Sequence, residues 1–161
     1  MTDIASLIAA LDAPTVKARR DAAIRLGQSG NPVAVLPLVL ALNDAHPSVR
    51  REAALALGRL DDDQAVPGLI AALDDGDPEV RAGAIAALGR LKDRRAVMPL
   101  TGCLVDSDDR IRAGAAEMLG RLGDPRATKA LTAATADPFE EVREAATQAL
   151  SRIRKKGQAG P

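Results

Sequence analysis

Few of the 161 residues are of types that do chemistry on their own. There is one histidine, His46, one cysteine, Cys103, and no tryptophan or tyrosine. A structural zinc site needs four ligands and a catalytic one needs three, so Cys and His alone cannot build either here. A single cysteine forms no internal disulfide. Cys103 occupies a position that recurs elsewhere as Ala10, Ala41, Ala72 and Ala134, which fits a small buried hydrophobe. His46 precedes Pro47 and stands where Thr15, Asp77 and Asp108 stand, at the start of a helix, so it reads as a turn residue rather than a base. Carboxylates are plentiful, as in Asp61-Asp62-Asp63, Asp74, Asp75 and Asp106, but they gather in turns, where Asp is a capping residue. No pair lies among apolar neighbours that would raise one pKa for acid–base work. The spacing matches no EF-hand loop. No catalytic residue, cofactor site or metal ligand is assigned.

Charge sets further bounds. The 22 Lys+Arg are balanced by 22 Asp+Glu, whereas nucleic-acid binding draws on an excess of cations. Phe139 is the only aromatic residue, so no platform exists for stacking bases. Nucleic acid is therefore an unfavoured partner, although neutral net charge leaves room for a local basic patch. Asp3 stands where a signal peptide would be basic. The longest apolar run, Val33 to Leu42, is interrupted by Pro37 and falls short of the roughly 20 residues of a membrane span. A cytoplasmic protein with no membrane partner is expected.

The elements that position these residues repeat. Leu-Gly occurs at Leu26-Gly27, Leu57-Gly58, Leu88-Gly89 and Leu119-Gly120, each 31 residues after the last, and Leu150-Ser151 follows. Arg19, Arg50, Arg81, Arg112 and Arg143 keep the same interval, as do Leu7, Leu38, Leu69, Leu100 and Leu131. The glycines therefore belong to the repeat and form no phosphate-binding loop. Each unit reads as two helices. In the third, Val66, Leu69, Ile70 and Leu73 lie at i, i+3, i+4 and i+7 on a helix over about 65–73. Asp77 then caps a second helix with Pro78 at its first position, running to about Leu88, and Gly89 and Asp93 mark its exit. Two such helices cannot hide an apolar stripe alone, so stacked pairs are expected. The fold predicted is all-α: a right-handed α-solenoid of five two-helix repeats. Its units cover about 3–32, 33–64, 65–95, 96–126 and 127–154 of a single domain, 1–154. The end units carry polar changes such as Thr128, Thr132 and Thr135, which suit solvent-facing caps and favour a monomer. A basic tail, 155–161, is expected to be disordered.

Laid out this way, the pattern resembles the HEAT repeat, in the short HEAT-like class named after phycobilisome lyases. The strings carrying it are DPEVRAGAIAALGRLKDRRAVMPL and DDRIRAGAAEMLGRLGDPRATKAL, and the resemblance covers about residues 3–154. It implies an armadillo/HEAT-like superhelix with the second helices on the concave face. It also implies that most relatives are interaction scaffolds, with bilin lyase subunits and iron-dependent deoxyhypusine hydroxylases as enzyme exceptions. The hydroxylases place His-Glu pairs on their repeats, and this chain has none. HEAT-like DNA glycosylases rely on aromatics that are also missing. In HEAT repeats an Asp–Arg pair resembles a ladder between repeats. Here it maps to Asp44 and Arg50, Asp75 and Arg81, Asp106 and Arg112, Asp137 and Arg143. Arg19 has Ala13 in place of its Asp and is expected to be freer.

A partner surface is expected where the repeats differ. Along the second helices this set reads Arg20, Asp21 and Ile24; Arg51, Glu52 and Leu55; Ala82, Gly83 and Ala86; Ala113, Gly114 and Glu117; Glu144, Ala145 and Gln148, with units one to four expected to bind. The row Arg59, Arg90, Arg121 and Arg152 closes the helices, where cations complement the dipole and could also dock an acidic partner. Ile24 and Leu55 are apolar on a side expected to be wet. Gly83 and Gly114, mid-helix, each cost about 1 kcal/mol relative to Ala. The reading is a non-catalytic scaffold that binds a protein segment on a small-residue floor. The alternatives are a bilin lyase subunit and, behind it, a nucleic-acid accessory protein.

Overall fold

The computed structural model describes residues 3–158. Among them are ten α-helices and no strand: α1 (Ile4–Ala9), α2 (Val16–Ser29), α3 (Val35–Ala41), α4 (Pro47–Leu60), α5 (Val66–Ala71), α6 (Pro78–Leu91), α7 (Val97–Gly102), α8 (Asp109–Leu122), α9 (Thr128–Ala134) and α10 (Glu140–Gln158). The chain divides into two compact units, residues 1–91 and 92–161. The first holds three repeats, α1–α6, and the second holds two, α7–α10.

Local chemistry explains the helix boundaries. Thr15, His46 and Asp108 cap α2, α4 and α8 by accepting a backbone N–H from the first turn. The Asp77 carboxylate does the same for α6 through the Glu79 N–H at 2.8 Å. The second helices then run a full turn beyond the expected exit. α6 continues to Leu91, and Gly89 is buried inside it instead of marking its end. What stops the chain is a left-handed residue: Gly30 (φ 65°), Asp61 (54°), Lys92 (53°) and Gly123 (65°) recur at the repeat interval. Next, Asn31, Asp62, Asp93 and Asp124 each cap a short 3₁₀ turn that leads into the next first helix. The first helices are correspondingly short. The stretch expected over about 65–73 is a 3₁₀ turn, the six-residue α5, and a second 3₁₀ turn.

Each unit is built on a leucine row. Leu26, Leu38, Leu57, Leu69 and Leu88 are fully buried in the first unit, and Leu100, Leu119 and Leu131 in the second. Second helices also pack directly on second helices through a glycine–alanine seam. A Cβ added at Gly27 would lie 2.7 Å from the Ala56 Cα, and one at Gly58 would lie 2.8 Å from the Ala87 Cα. In the second unit a Cβ at Gly120 would lie 2.7 Å from the Ala149 Cα. Only glycine admits this approach, which accounts for Gly27, Gly58 and Gly120 of the Leu-Gly row.

Arginines tie successive repeats together. Arg19 clamps Asp44 with Nε at 2.6 Å and Nη2 at 3.0 Å. Arg50 grips Asp75 in the same way at 2.7 and 2.8 Å, and Arg112 grips Asp137 at 2.7 and 3.1 Å. The partner is therefore the carboxylate 25 residues ahead, while the residue six positions back contributes its backbone carbonyl: Arg50 to Asp44 O, Arg81 to Asp75 O, Arg112 to Asp106 O and Arg143 to Asp137 O. Arg19 is thus fully engaged, not freer: it takes Ala13 O at 3.0 Å and the Asp44 carboxylate. Ala13 can stand there because only its carbonyl is used. The guanidinium hydrogen bonds hold the Asp44, Asp75 and Asp137 carboxyls below the usual carboxylate range.

The end of the chain is more ordered than its composition suggests. Residues 155–158, expected in a disordered tail, complete α10, and Lys156 Nζ donates to Leu122 O at 2.9 Å. Lysines suit the last turn of a helix, where they meet free carbonyls. Residues 159–161 of that expected tail lie outside the described residues.

Candidate functional site

The second helices carry the residues expected to bind a partner, and the two units treat them differently. In the first unit most of these groups are satisfied internally. Arg51 pairs with Glu52 at 2.8 Å and approaches Glu79 at 4.0 Å, while Arg20 lies 3.5 Å from Asp21. Ile24 and Leu55 are half-buried rather than wet, and Arg59, Ala82, Ala86 and Arg90 are exposed. Gly83, expected on an open floor, is buried. A Cβ there would meet Arg51 O at 3.4 Å and the Ala54 Cβ at 3.7 Å, so this glycine faces the neighbouring helix.

In the second unit the same helix face opens into a groove of about 580 Å³ along α8 and α10. Ala113, Gly114 and Ala145 form its floor, and Glu117, Glu144 and Gln148 stand along it. Asp109 and Glu141 lie at its head and Arg152 at its foot. Glu117 is paired with Arg121 at 2.7 Å, and Arg110 leans back on Asp108 at 2.9 Å. Asp109, Glu141 and Glu144 have no ion-pair partner among the described residues. The groove thus presents uncompensated acid over a small-residue floor. Of the predicted set, the structure brings Ala113, Gly114 and Glu117 together here, with Arg121 paired to Glu117 beside them.

Other residues of the second unit have structural explanations. Asp124 is 2% exposed and is held by Arg94 at 2.8 Å and Arg126 at 2.9 Å. These hydrogen bonds, Arg126 foremost, push its carboxyl far below the usual carboxylate range. Cys103 is buried, as its alanine register implies. His46 Nδ1 accepts from the Ser48 N–H at 3.3 Å in its capping role. Phe139 is 48% exposed, with the Arg112 guanidinium 5.4 Å from its ring centre. Among the described residues no group of three His, Cys, Asp or Glu is placed to hold a metal ion, and no helix is long and apolar enough to cross a membrane.

The sequence reading passed over one surface. Val33 in the 3₁₀ turn before α3, and Leu36 and Leu40 on α3, are 64%, 62% and 74% exposed. The signal was present in the run Val33–Leu42, which is apolar on every side of a helix. Val35, Leu38 and Leu42 account for its buried side, so the other side had to be outside.

Comparisons with known proteins agree with this architecture. A family model described as HEAT repeats matches residues 4–77 and 66–151. A complex of CpcE and CpcF of the phycocyanin lyase from Nostoc sp. contains a chain 28% identical to this one. The match covers 99% of this chain and 68% of that one, with a TM-score of 0.84. A designed armadillo repeat protein in complex with the peptide (KR)4 is 22% identical over 93% of this chain and 81% of its own, with a TM-score of 0.69. A second designed armadillo repeat protein, made for modular peptide recognition, is 20% identical over 98% of this chain and 88% of its own, at 0.68. Below a quarter identity, these two speak to the fold alone. No curated protein matches.

Proposed function

We propose, from the premise that this chain belongs to the HEAT-repeat family, that it is a non-catalytic scaffold holding a segment of a partner protein on its second-helix face. The observation that carries this reading is the groove of the second unit, with a floor of Ala113, Gly114 and Ala145, Arg152 at its foot, and Asp109, Glu141 and Glu144 around it, none of the three in an ion pair among the described residues. A small-residue floor lets a backbone lie close. A rigid helical frame lowers the ordering cost of binding. Acidic walls favour a segment carrying Lys or Arg, through complementary potential.

Gln148→Trp tests this. Gln148 is exposed on the groove, and its register holds Ile24 and Leu55 in the first unit, so the scaffold accepts a large side chain there. Affinity capture from the native host, quantified by mass spectrometry, is expected to show a protein retained by the unaltered chain and lost by Gln148→Trp at an unchanged melting temperature. An identical captured set would overturn the proposal.

A second reading is favoured by one observation, the 28% identity to a chain of the CpcE–CpcF complex of phycocyanin lyase. On that reading the chain is a lyase subunit whose partner is a second lyase chain. An assay of covalent bilin transfer to a biliprotein, with and without this chain, separates the two: transfer that depends on the chain supports the lyase.

A further inference from the structure

The first-helix face of the first unit differs in composition from that of the second. The stretches 3–15, 31–46 and 61–77, which contain α1, α3 and α5, hold no Lys or Arg. The corresponding stretches of the second unit contain Lys92, Arg94, Arg95, Arg126 and Lys129. On this cation-free face Val33, Leu36 and Leu40 stand out at helical spacing. In the other repeats the position of Leu36 is held by Ala5, Pro67, Met98 or Lys129, and that of Leu40 by Ala9, Ala71, Gly102 or Ala133. Beside this ridge lies a groove of about 350 Å³ between α1 and α3, lined by Ile8, Leu11, Pro37 and Leu40. Its rim is acidic: Asp12 is exposed, whereas Asp44 is already clamped by Arg19. Asp74 is exposed in the 3₁₀ turn that follows α5.

We infer that this face docks an amphipathic helix of a partner protein whose apolar stripe is flanked by Lys or Arg. A ridge next to a groove is what helix packing uses, since the side chains of one helix enter the groove of the next. An exposed apolar patch with a polar rim marks an interaction surface. Charge selects the occupant. The rim offers Asn43 and, with Asp44 taken by Arg19, the exposed carboxylates Asp12 and Asp74; the first-helix stretches bring no Lys or Arg, so a basic flank is complementary. A second copy of the chain would set Asp12 and Asp74 against the same acidic rim, which disfavours self-association. This inference uses residues of the first unit alone and does not depend on the groove of the second.

The test uses a synthetic amphipathic peptide of about 18 residues, long enough for several helical turns. Leu occupies one face and Lys the flanks; a matched peptide has Glu in place of Lys. Binding to the full chain is read by fluorescence anisotropy, with the mass of the chain alone measured by light scattering at the same concentration. The Lys peptide is expected to bind at least about tenfold more tightly than the Glu peptide, the advantage shrinking as salt is raised. Leu36→Glu with Leu40→Glu should abolish binding at an unchanged melting temperature, whereas Gln148→Trp should leave it intact. Asp12→Lys with Asp74→Lys should reverse the preference between the peptides. Equal affinity for the two peptides, or binding that survives the leucine substitutions, overturns the inference. So does a doubled mass that Leu36→Glu restores to the single chain, which would assign the face to a second copy.

Discussion

The two units share a frame and differ in their surfaces. Both use an arginine clamp on a carboxylate 25 residues ahead, and both use a glycine pressed against an alanine backbone. Yet the first unit leaves a cation-free apolar face on its first helices, while the second opens an acidic groove on its second helices. A repeat fold allows this because each layer needs only its neighbours for stability. Positions facing a neighbour are fixed, and positions facing water are free to diverge. The two faces of one repeat can therefore acquire separate roles.

The shared frame can be broken in each unit in turn. Asp75→Ala in the first unit removes the carboxylate from Arg50, and Asp137→Ala in the second removes it from Arg112. Each is expected to cost about 2–4 kcal/mol, because a half-buried guanidinium loses a two-point partner. Denaturant unfolding of both variants checks this, and similar losses would confirm that the clamp does the same work in both units. The clamps also set a pH dependence. These carboxyls have depressed pKa values when folded, so their contribution is present above the unfolded value of about 4 and is lost as pH falls through the lower folded value. Stability should thus hold between pH 7 and 5 and fall below about 4, and Asp75→Ala should flatten that fall.

Glycine substitutions sharpen the comparison within one helix class. Gly58→Ala and Gly120→Ala place a methyl group under 3 Å from a backbone Cα and should each cost about 1–3 kcal/mol. Gly83→Ala meets only ordinary contacts, the nearest at 3.4 Å, and should stabilise by up to about 1 kcal/mol. Thermal melts of the three should therefore shift in opposite directions. Lys92→Gly relieves a left-handed lysine and is expected to add up to about 1 kcal/mol. Leu36→Glu, on the surface, should change stability by no more than about 0.5 kcal/mol.

Much of the frame was legible in the residues because repetition amplifies small signals. The interval of 31 aligned the Leu, Gly and Arg rows, and any position constant in all units had to face a neighbour. Reading the ladder within one unit assigned Arg19 no partner, because a sequence does not show that a guanidinium reaches forward across a layer to Asp44. Glycine usually marks helix ends, so Gly89 together with Asp93 suggests the exit of the second helix. Gly89 instead lies buried within α6, and the left-handed Lys92, just before Asp93, stops the helix. The candidate surface was legible in part. Variation along the second helices pointed to Ala113, Gly114 and Glu117, but whether a glycine lies under a groove, as Gly114 does, or under a neighbouring helix, as Gly83 does, depends on packing. The exposed face at Leu36 and Leu40 was masked because an apolar run reads as core until one of its sides is accounted for.

On this reading one frame carries two separate docking surfaces. This is tested most directly by affinity capture from the native host with three baits: the unaltered chain, Gln148→Trp, and Leu36→Glu with Leu40→Glu. The captured proteins are quantified by mass spectrometry. All three baits should melt alike, and each variant should lose a different protein while keeping the other's. Both variants losing the same protein, or neither losing any, would contradict it.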